Sequence, residues 1–426
     1  MTSGHRLQTA KAPASRQGRR NAGHAWKGML TSGDGVPVIA FLAHLGLVLA
    51  LASVAAGQSI RRPTVPAVGF FLQPVPGHLG HLLEPLFHWD GYWYILIADR
   101  GYSIHAATTA FWPLYPLLIK AGYDLSTWPM PILGVILSNL ALLGALVVLY
   151  RLVRLDYGDA VAGRTVWLLA LFPTAFFFSA VYTESLFLLL TVASIYYGRT
   201  DRWGRAAAFG FLAALTRNTG VLVIIPLGLL LVQRYGWNPR KWFHRGIQVA
   251  GVVLGPLLYF AFLQTVWGDP LITLKAQQQW ARYQTMPWNT FAAAFQQLDL
   301  RWLHWLGTTP DWTMLTSTVT RASFAQGNAY DLLITLLFIP VALYALWCVR
   351  PAYSLYGLVL FIVPLFSPSY VHALMSMPRF VIAMFPFFIA LAMLLRNRWL
   401  FGAALVLSAA QFAALLIQFG TWFWVA

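Results

Sequence analysis

The chain has 426 residues, of which 59% are hydrophobic and 10% are charged, and its mean hydropathy is +0.63. Soluble proteins carry about 25% charged residues, so this composition excludes a water-soluble globule of such length. The net charge of +16 indicates membrane topology rather than nucleic-acid binding, because Lys and Arg accumulate on cytoplasmic loops. The single cysteine, Cys348, excludes an intramolecular disulfide and a cysteine-based metal site.

The apolar runs predict an all-α polytopic membrane protein. Residues 1–35 are polar and basic, and we expect a disordered cytoplasmic tail there. The rest, 36–426, is predicted to form a single integral-membrane domain with about 11 transmembrane helices. The Pro-rich run 111–126 is predicted to be interfacial or re-entrant. The predicted spans lie near 36–56, 130–150, 165–181, 183–198, 206–217, 218–233, 246–266, 329–349, 352–367, 379–395 and 400–424.

The charge distribution predicts how the chain is oriented. With the first residue inside, most of the 29 Lys and Arg residues lie on the cytoplasmic side, and most of the 13 Asp and Glu residues lie outside. Asp156 and Asp159 fall on the inner side, where we expect a solvated loop. Two long loops, 57–129 and 267–328, lie outside and are rich in Trp, Tyr, Pro and His. Long ordered loops are usually functional, so we expect the chemistry on this outer face.

The first outer loop reads FHWDGYWY at 87–94. Asp90 and Tyr94 share one face at helical spacing. Trp89 and Trp93 add aromatic surface around the carboxylate, and a desolvated carboxylate of this kind can act as a general base. A helix N-cap or an interfacial aspartate would show the same spacing, and the sequence does not decide between these alternatives.

Glu184 lies in a tight turn, YTES at 182–185, between two apolar runs. An acidic side chain near the lipid is costly, which indicates a functional position. The alternative is a carboxylate that caps the following helix with help from Thr183 or Ser185.

Arg217 and Asn218 interrupt the apolar stretch 206–233. A guanidinium buried there offers forked donors that suit a phosphate, whereas an arginine near a helix end can also extend to the membrane interface. Arg379, preceded by His372, gives a second such position at the entrance of a later span. A phosphate contact and an interface anchor are equally good interpretations of that arginine.

Several familiar signals are missing from the sequence. It contains no Gly-rich phosphate loop of the Walker type, no HExxH and no DxD. Its 10 histidines are scattered without the spacing of metal ligands, so we expect neither a metal nor a cofactor.

Taken in order, the motifs resemble those of the PIG-V-type mannosyltransferases. The similarity covers about 87–220 and again 378–388, whereas 235–370 matches no named block. Trp112 departs from the FFPLYP pattern of that family. The matching motifs are WDG at 89–91, FWPLYP at 111–116, FPTAFF at 172–177, YTES at 182–185, TRNTG at 216–220 and PRF at 378–380.

The resemblance implies a GT-C-like bundle of transmembrane helices whose long extracytoplasmic loops contain short helices. It implies an inverting glycosyltransferase that takes a sugar, mannose, from a polyprenyl-phosphate donor within the membrane lipid and gives it to a glycolipid or cell-envelope glycan. The basic tail and relaxed motifs fit a bacterial homologue in the plasma membrane. By the same resemblance Asp90 is the catalytic base. The substrate-binding positions are Trp89, Trp93, Tyr94, Glu184, Arg217, Asn218, His372 and Arg379.

Two other classes of function fit a chain of this kind. A transporter or flippase for lipids or sugars would need paired broken spans and ionisable residues at mid-membrane. Here the ionisable residues are predicted near the outer face, which favours a transferase. A non-catalytic assembly subunit with an enzyme-like fold is the third alternative, and it would tolerate substitution of Asp90.

Overall fold

The computed structural model describes residues 35–57, 75–298 and 328–425. In these ranges the regular structure is helical, apart from one isolated β-bridge. The all-α prediction is therefore confirmed for the described part of the chain. Nearly all of the predicted tail, 1–35, and parts of both predicted outer loops lie outside the described residues.

The helices are numbered in chain order, and short 3-10 helices connect many of them. The first half of the chain contains α1 Val36–Ala56, α2 Gly77–Leu83, α3 Gly91–Arg100, α4 Leu114–Ser126, α5 Met130–Tyr157, α6 Asp159–Ala170, α7 Glu184–Arg199, α8 Trp203–Thr216 and α9 Ile224–Tyr235. The second half contains α10 Phe243–Ala250, α11 Leu254–Trp267, α12 Ile272–Ala276, α13 Pro287–Gln296, α14 Asn328–Cys348, α15 Pro351–Ile362, α16 Met377–Val381, α17 Phe385–Leu394 and α18 Arg398–Gly420.

Several of these helices can cross a membrane. Within the described residues, six segments are long and apolar enough: Val36–Ala56, Met130–Tyr157, Asn218–Tyr235, Phe243–Trp267, Asn328–Cys348 and Arg398–Gly420. With the apolar composition, they make the chain an integral, multi-pass membrane protein. The predicted number of about 11 spans is not confirmed, since a bilayer crossing needs about 20 residues. Helices α6, α7 and α8 have only 12, 16 and 14 residues.

Two predicted spans are interrupted in the structure. In 165–181, α6 ends before Pro173, because proline has no N–H to continue a helix. In 379–395, α16 and α17 are separate helices, and Pro386 lies in the first turn of the second one, where its missing N–H costs nothing. The predicted break at Arg217 is confirmed, since α8 ends at the preceding residue.

The run 111–126 forms α4, a helix of 13 residues that is too short to cross a bilayer. Tyr115 and Ile119 are buried on one side of α4, whereas Leu117 and Leu125 are 60% and 89% exposed. The Tyr115 hydroxyl donates to the backbone carbonyl of Gly134 at 3.0 Å and so ties α4 to α5. This amphipathic helix fits the predicted interfacial position.

Helix α5 spans the height of the bundle, since 28 residues extend over about 42 Å. Helix α7 packs against both α5 and α8. Ser138, near the start of α5, donates to the carbonyl of Tyr182 at 3.3 Å, just before α7 begins at Glu184. The start of α5, the start of α7 and the end of α8 therefore lie at the same end of the bundle, which we call the cavity end.

The opposite end of the bundle is held by Asp156, near the end of α5. Its side chain is only 5% exposed and accepts hydrogen bonds from Arg199 at 2.8 Å, Arg350 at 2.9 Å and Tyr353 at 2.8 Å. The prediction of a solvated loop is wrong for Asp156, because two arginines from distant segments neutralise its buried charge. Asp159, 68% exposed, does face solvent.

Candidate active site

A cavity of about 610 Å³ opens at the cavity end of the bundle. Its charged lining consists of two carboxylates and three guanidiniums, from Asp90, Glu184, Arg217, Arg282 and Arg379. Asp90 lies in the first outer loop, Glu184 in α7 and Arg379 in α16. The other two arginines lie in the segments that follow α8 and α12. The cavity lining thus carries one more cation than anions.

Asp90 occupies the N-cap position of α3, but its side chain makes no capping hydrogen bond. Its Oδ2 accepts a hydrogen bond from Arg379 Nη1 at 2.8 Å. Its backbone N–H donates to the hydroxyl of Tyr182 at 3.1 Å, and that hydroxyl donates to the carbonyl of His88 at 3.2 Å. The backbone of Asp90 is therefore fixed, and its carboxylate faces the cavity and not the helix end.

Glu184 is the first residue of α7, and its side chain is 2% exposed. Its Oε1 accepts a hydrogen bond from Arg217 Nη1 at 2.8 Å and lies 3.5 Å from Arg379 Nε. A carboxylate at a helix N-terminus is favoured by the helix dipole, which partly supports the capping alternative. The side chain nevertheless bonds to arginines, as the functional alternative requires.

Arg217 directly follows the last residue of α8 and has an extended backbone. Asn218–Val223 then form a 3-10 helix. Gly220 permits this tight return, because a Cβ there would lie 2.0 Å from the carbonyl oxygen of Ala213. The guanidinium of Arg217 lies over the ring of Phe380, 5.5 Å from its centroid. Its side chain is 18% exposed, so it does not extend to the interface as a free anchor.

Arg282 is the cavity arginine that the sequence did not single out. It donates to the carbonyls of Ser367 at 2.7 Å and Met375 at 3.2 Å. Within the described residues no carboxylate lies close enough to form an ion pair with it. Burial, with a smaller contribution from the charge of Arg379, lowers the pKa of the Arg282 guanidinium to about 10, against the opposing effects of Asp90 and Asp331. Its only mark in the sequence is its position in the aromatic second loop, 267–328, which contains two further arginines.

Arg379 connects the two carboxylates of the cavity, and its side chain is 11% exposed. It bonds to Asp90 and lies close to Glu184, as given above. Its guanidinium also lies over the ring of Tyr182, 5.5 Å from the centroid. An interface anchor is not expected to have a guanidinium that is so buried and that pairs with carboxylates.

Of the three residues of the predicted aromatic wall, the structure places one at the cavity. Tyr94 lines the cavity, and its hydroxyl lies 3.4 Å from Thr183 Oγ1. Trp89 and Trp93 do not line it: Trp89 has a left-handed backbone, φ +59°, which turns its ring against Trp424. Trp93 stacks behind Phe111. The aromatic lining is instead supplied by Phe111, Trp112, Trp280, Trp424, Phe187 and Phe380, with Tyr94 and Tyr182.

The remaining two predicted positions differ in their placement. Asn218 lines the cavity, and its Oδ1 accepts from the backbone N–H of Thr219 at 2.8 Å. His372 is half-buried in the loop before α16 and does not line the cavity; burial lowers its pKa. Among the described residues no group of three or more His, Cys, Asp or Glu side chains is placed to hold a metal ion. The expectation of no metal and no cofactor stays a prediction.

The fold and the cavity define a helical, multi-pass membrane protein with a buried ionic site at one end of its bundle. Residues 67–238 match a family model described as Mannosyltransferase (PIG-V). The resemblance predicted from the motifs is thereby confirmed over this segment, which includes Asp90, Glu184 and Arg217. Arg282 and Arg379 lie beyond it.

Two curated relatives are similar over part of their length. The chain is 27% identical over 202 residues to GPI mannosyltransferase 2 of Yarrowia lipolytica, which covers 47% of this chain and 54% of the relative. It is 30% identical over 177 residues to GPI alpha-1,6-mannosyltransferase 2 of Homo sapiens, covering 38% and 34%. The chain thus spans about half the length of the first relative and about a third of the second.

Two solved structures are similar at low sequence identity. ArnT from Cupriavidus metallidurans, bound to undecaprenyl phosphate, has a TM-score of 0.49 and 12% identity, covering 86% of this chain and 62% of that one. The Archaeoglobus fulgidus oligosaccharyltransferase, in complex with zinc and sulfate, has a TM-score of 0.41 and 15% identity, covering 88% and 53%.

Proposed function

We propose that the protein is an inverting glycosyltransferase of the GT-C type that transfers mannose from a polyprenyl-phosphate donor to a lipid-linked or cell-envelope acceptor. The observation that carries this proposal is a buried carboxylate, Asp90, in the same cavity as a surplus of guanidiniums. The match of 67–238 to a mannosyltransferase family supports mannose as the sugar. The proposed catalytic domain is the integral-membrane part of the chain, 36–426.

In the proposed reaction Asp90 accepts the proton of the acceptor hydroxyl. The hydroxyl oxygen attacks the anomeric carbon from the face opposite the phosphate and forms the new glycosidic bond. The bond between the anomeric carbon and the phosphate oxygen breaks, and its electron pair leaves with the polyprenyl phosphate. Attack from the opposite face inverts the configuration of the anomeric carbon.

The leaving phosphate needs a cation as its charge grows, and Arg282 suits this role best. Arg379 is already engaged with Asp90 and Glu184, whereas Arg282 bonds only to backbone carbonyls in the described part of the chain. A desolvated guanidinium binds phosphate through forked, charge-assisted hydrogen bonds. Arg217, at the same cavity, is the second candidate for this contact.

The apolar lining of the cavity suits the other parts of the donor. The rings of Phe111, Trp112 and Trp280 offer faces for a sugar, replacing the predicted wall of Trp89 and Trp93. Val363 and Phe366, after α15, line the cavity and are 37% and 40% exposed. These side chains suit the polyprenyl chain, which enters from the lipid.

The proposed setting is a bacterial plasma membrane, with the start of the chain in the cytoplasm and the cavity on the extracytoplasmic face. The cluster at Asp156 contains Arg199 and Arg350, which the charge rule assigns to the inner side. The cavity lies at the other end of the bundle. This arrangement supports an outward-facing site.

The decisive experiment uses purified protein, polyprenyl-phosphate mannose with a radiolabelled sugar, and a cell lipid extract as acceptor. We expect transfer by the wild type and a loss of about 10²- to 10⁴-fold in Asp90→Asn. Asp99→Asn is the matched control, because Asp99 lies on the same helix with its side chain 48% exposed. Movement of the donor across liposomes without transfer would favour a flippase. Full activity of Asp90→Asn would remove this carboxylate from the mechanism.

A further inference from the structure

We infer that Glu184 is a positioning residue that receives Arg379 when the donor binds, and so releases Asp90 to act as the base. This inference rests on the proposed function. It replaces the predicted role of Glu184 as a direct substrate contact.

The ion pair between Asp90 and Arg379 must open during the reaction. Arg379 Nη1 donates to Asp90 Oδ2 at 2.8 Å, at the carboxylate that the acceptor hydroxyl has to reach. If Asp90 took a proton while that pair remained closed, the buried guanidinium would lose its neutralising partner. Arg379 therefore needs a second anion to move to.

Glu184 supplies that second anion. Arg379 Nε lies 3.5 Å from Glu184 Oε1, about 0.6 Å longer than a typical N–H···O hydrogen bond. In the described part of the chain, Arg379 Nε and Glu184 Oε2 are both buried without a hydrogen-bond partner. Buried polar atoms are rarely left in this state, and here the unsatisfied donor and the unsatisfied acceptor belong to the two partners of one ion pair. A small shift of the guanidinium towards Glu184 would satisfy both.

The donor phosphate provides the driving force for this shift. Glu184 Oε1 accepts a hydrogen bond from Arg217 Nη1 at 2.8 Å. A phosphate that is held by Arg282 and also contacts Arg217 draws Arg217 away from Glu184 and leaves a buried carboxylate without a cation. Arg379 is the nearest guanidinium that can replace Arg217 there. Donor binding then frees Asp90, so that the acceptor is activated only when a sugar is present to receive its attack.

The test is Glu184→Gln, with donor-phosphate affinity and turnover measured separately. Polyprenyl phosphate without sugar is the binding probe, and polyprenyl-phosphate mannose is the substrate. We expect the probe to bind about tenfold more tightly, because Arg217 no longer has a competing carboxylate. We expect kcat to fall about 100-fold, because Arg379 stays with Asp90. A residue that contacts the sugar directly would instead leave the affinity for this sugar-free probe unchanged.

A second variant covers the case in which Glu184→Gln does not fold. Glu184→Asp keeps the carboxylate, but its side chain is one methylene shorter. The negative charge therefore still offsets the charge of Arg379, whereas the ion pair between the two groups should be weaker. We expect kcat between those of Glu184→Gln and the wild type, with donor affinity close to the wild type. Wild-type kcat in both variants, or no gain in probe affinity in Glu184→Gln, overturns the inference and leaves the proposed function in place. A wild-type protein that transfers no sugar overturns both.

Discussion

Arg282→Gln is the substitution that tests the phosphate site most directly, because glutamine keeps one amide donor and removes the charge. Arg282 bonds to the carbonyls of Ser367 and Met375 and has no ion pair within the described residues. Its charge is therefore available to a ligand. Hydrogen bonds to charged groups contribute about 1.5–3 kcal/mol, so we expect a loss of about 2–3 kcal/mol in binding of polyprenyl phosphate. This corresponds to a rise of about 30- to 150-fold in Kd.

The same substitution should leave the empty protein nearly as stable as the wild type. The desolvated cation is repelled by Arg379, and its removal relieves that repulsion while two hydrogen bonds to carbonyls are weakened. We expect a net change of about 1 kcal/mol or less in the free energy of unfolding. Thermal unfolding in detergent, with and without polyprenyl phosphate, measures both effects on one sample.

The pH dependence of binding gives an independent check on Arg282. Its pKa in the folded protein, about 10, lies below the ordinary value of an arginine, because burial and the charge of Arg379 disfavour the cation. Phosphate binding needs the cation. Affinity should therefore stay constant up to about pH 9 and fall as the pH rises past about 10, and this fall should be absent in Arg282→Gln.

The control for these measurements is Lys275→Gln. Lys275 lies in the same loop and carries the same charge, but it is 71% exposed and pairs with Asp269. A surface pair of this kind contributes about 0–1 kcal/mol, so donor affinity should not change. Equal losses in the two variants would refute a specific phosphate site at Arg282 and indicate a general effect of loop charge.

Two further substitutions test the scaffold around the cavity. Gly220→Ala would place a Cβ 2.0 Å from the carbonyl oxygen of Ala213. We expect a loss of about 2 kcal/mol or more in stability and weaker donor binding through a displaced Arg217, measured by thermal unfolding and by probe titration. Asp156→Asn leaves Arg199 and Arg350, each 30% exposed, without their buried anion. It should cost about 2 kcal/mol in stability with unchanged donor affinity, and a changed affinity would show that the two ends of the bundle are coupled.

The sequence predicted the membrane class and most of the cavity for identifiable reasons. Asp90, Glu184 and Arg217 are polar side chains in apolar or aromatic surroundings, and each can be recognised from its neighbours in the chain. Their pairing could not be predicted, since Arg379 is separated from Asp90 by 289 positions. Arg282 has no local pattern, and only the folded chain brings it to the cavity. Trp89 was expected beside the carboxylate as its neighbour in the chain, but its left-handed backbone places its ring against Trp424, outside the cavity lining.

The charges of the cavity match the proposed reaction at each stage. The two carboxylates and two of the arginines, Arg217 and Arg379, balance one another, and the helix ends at Glu184 and Arg217 favour charges of those signs. Arg282 remains as the single surplus cation among the charged lining residues. A polyprenyl-phosphate sugar is a phosphodiester with one negative charge, so its binding makes the cavity neutral. After transfer, Asp90 holds a proton and the cavity gains one positive charge, while the leaving phosphate becomes a monoester that can carry a second negative charge. With the donor bound, the cavity is therefore neutral both before and after transfer, and this balance depends on Arg282.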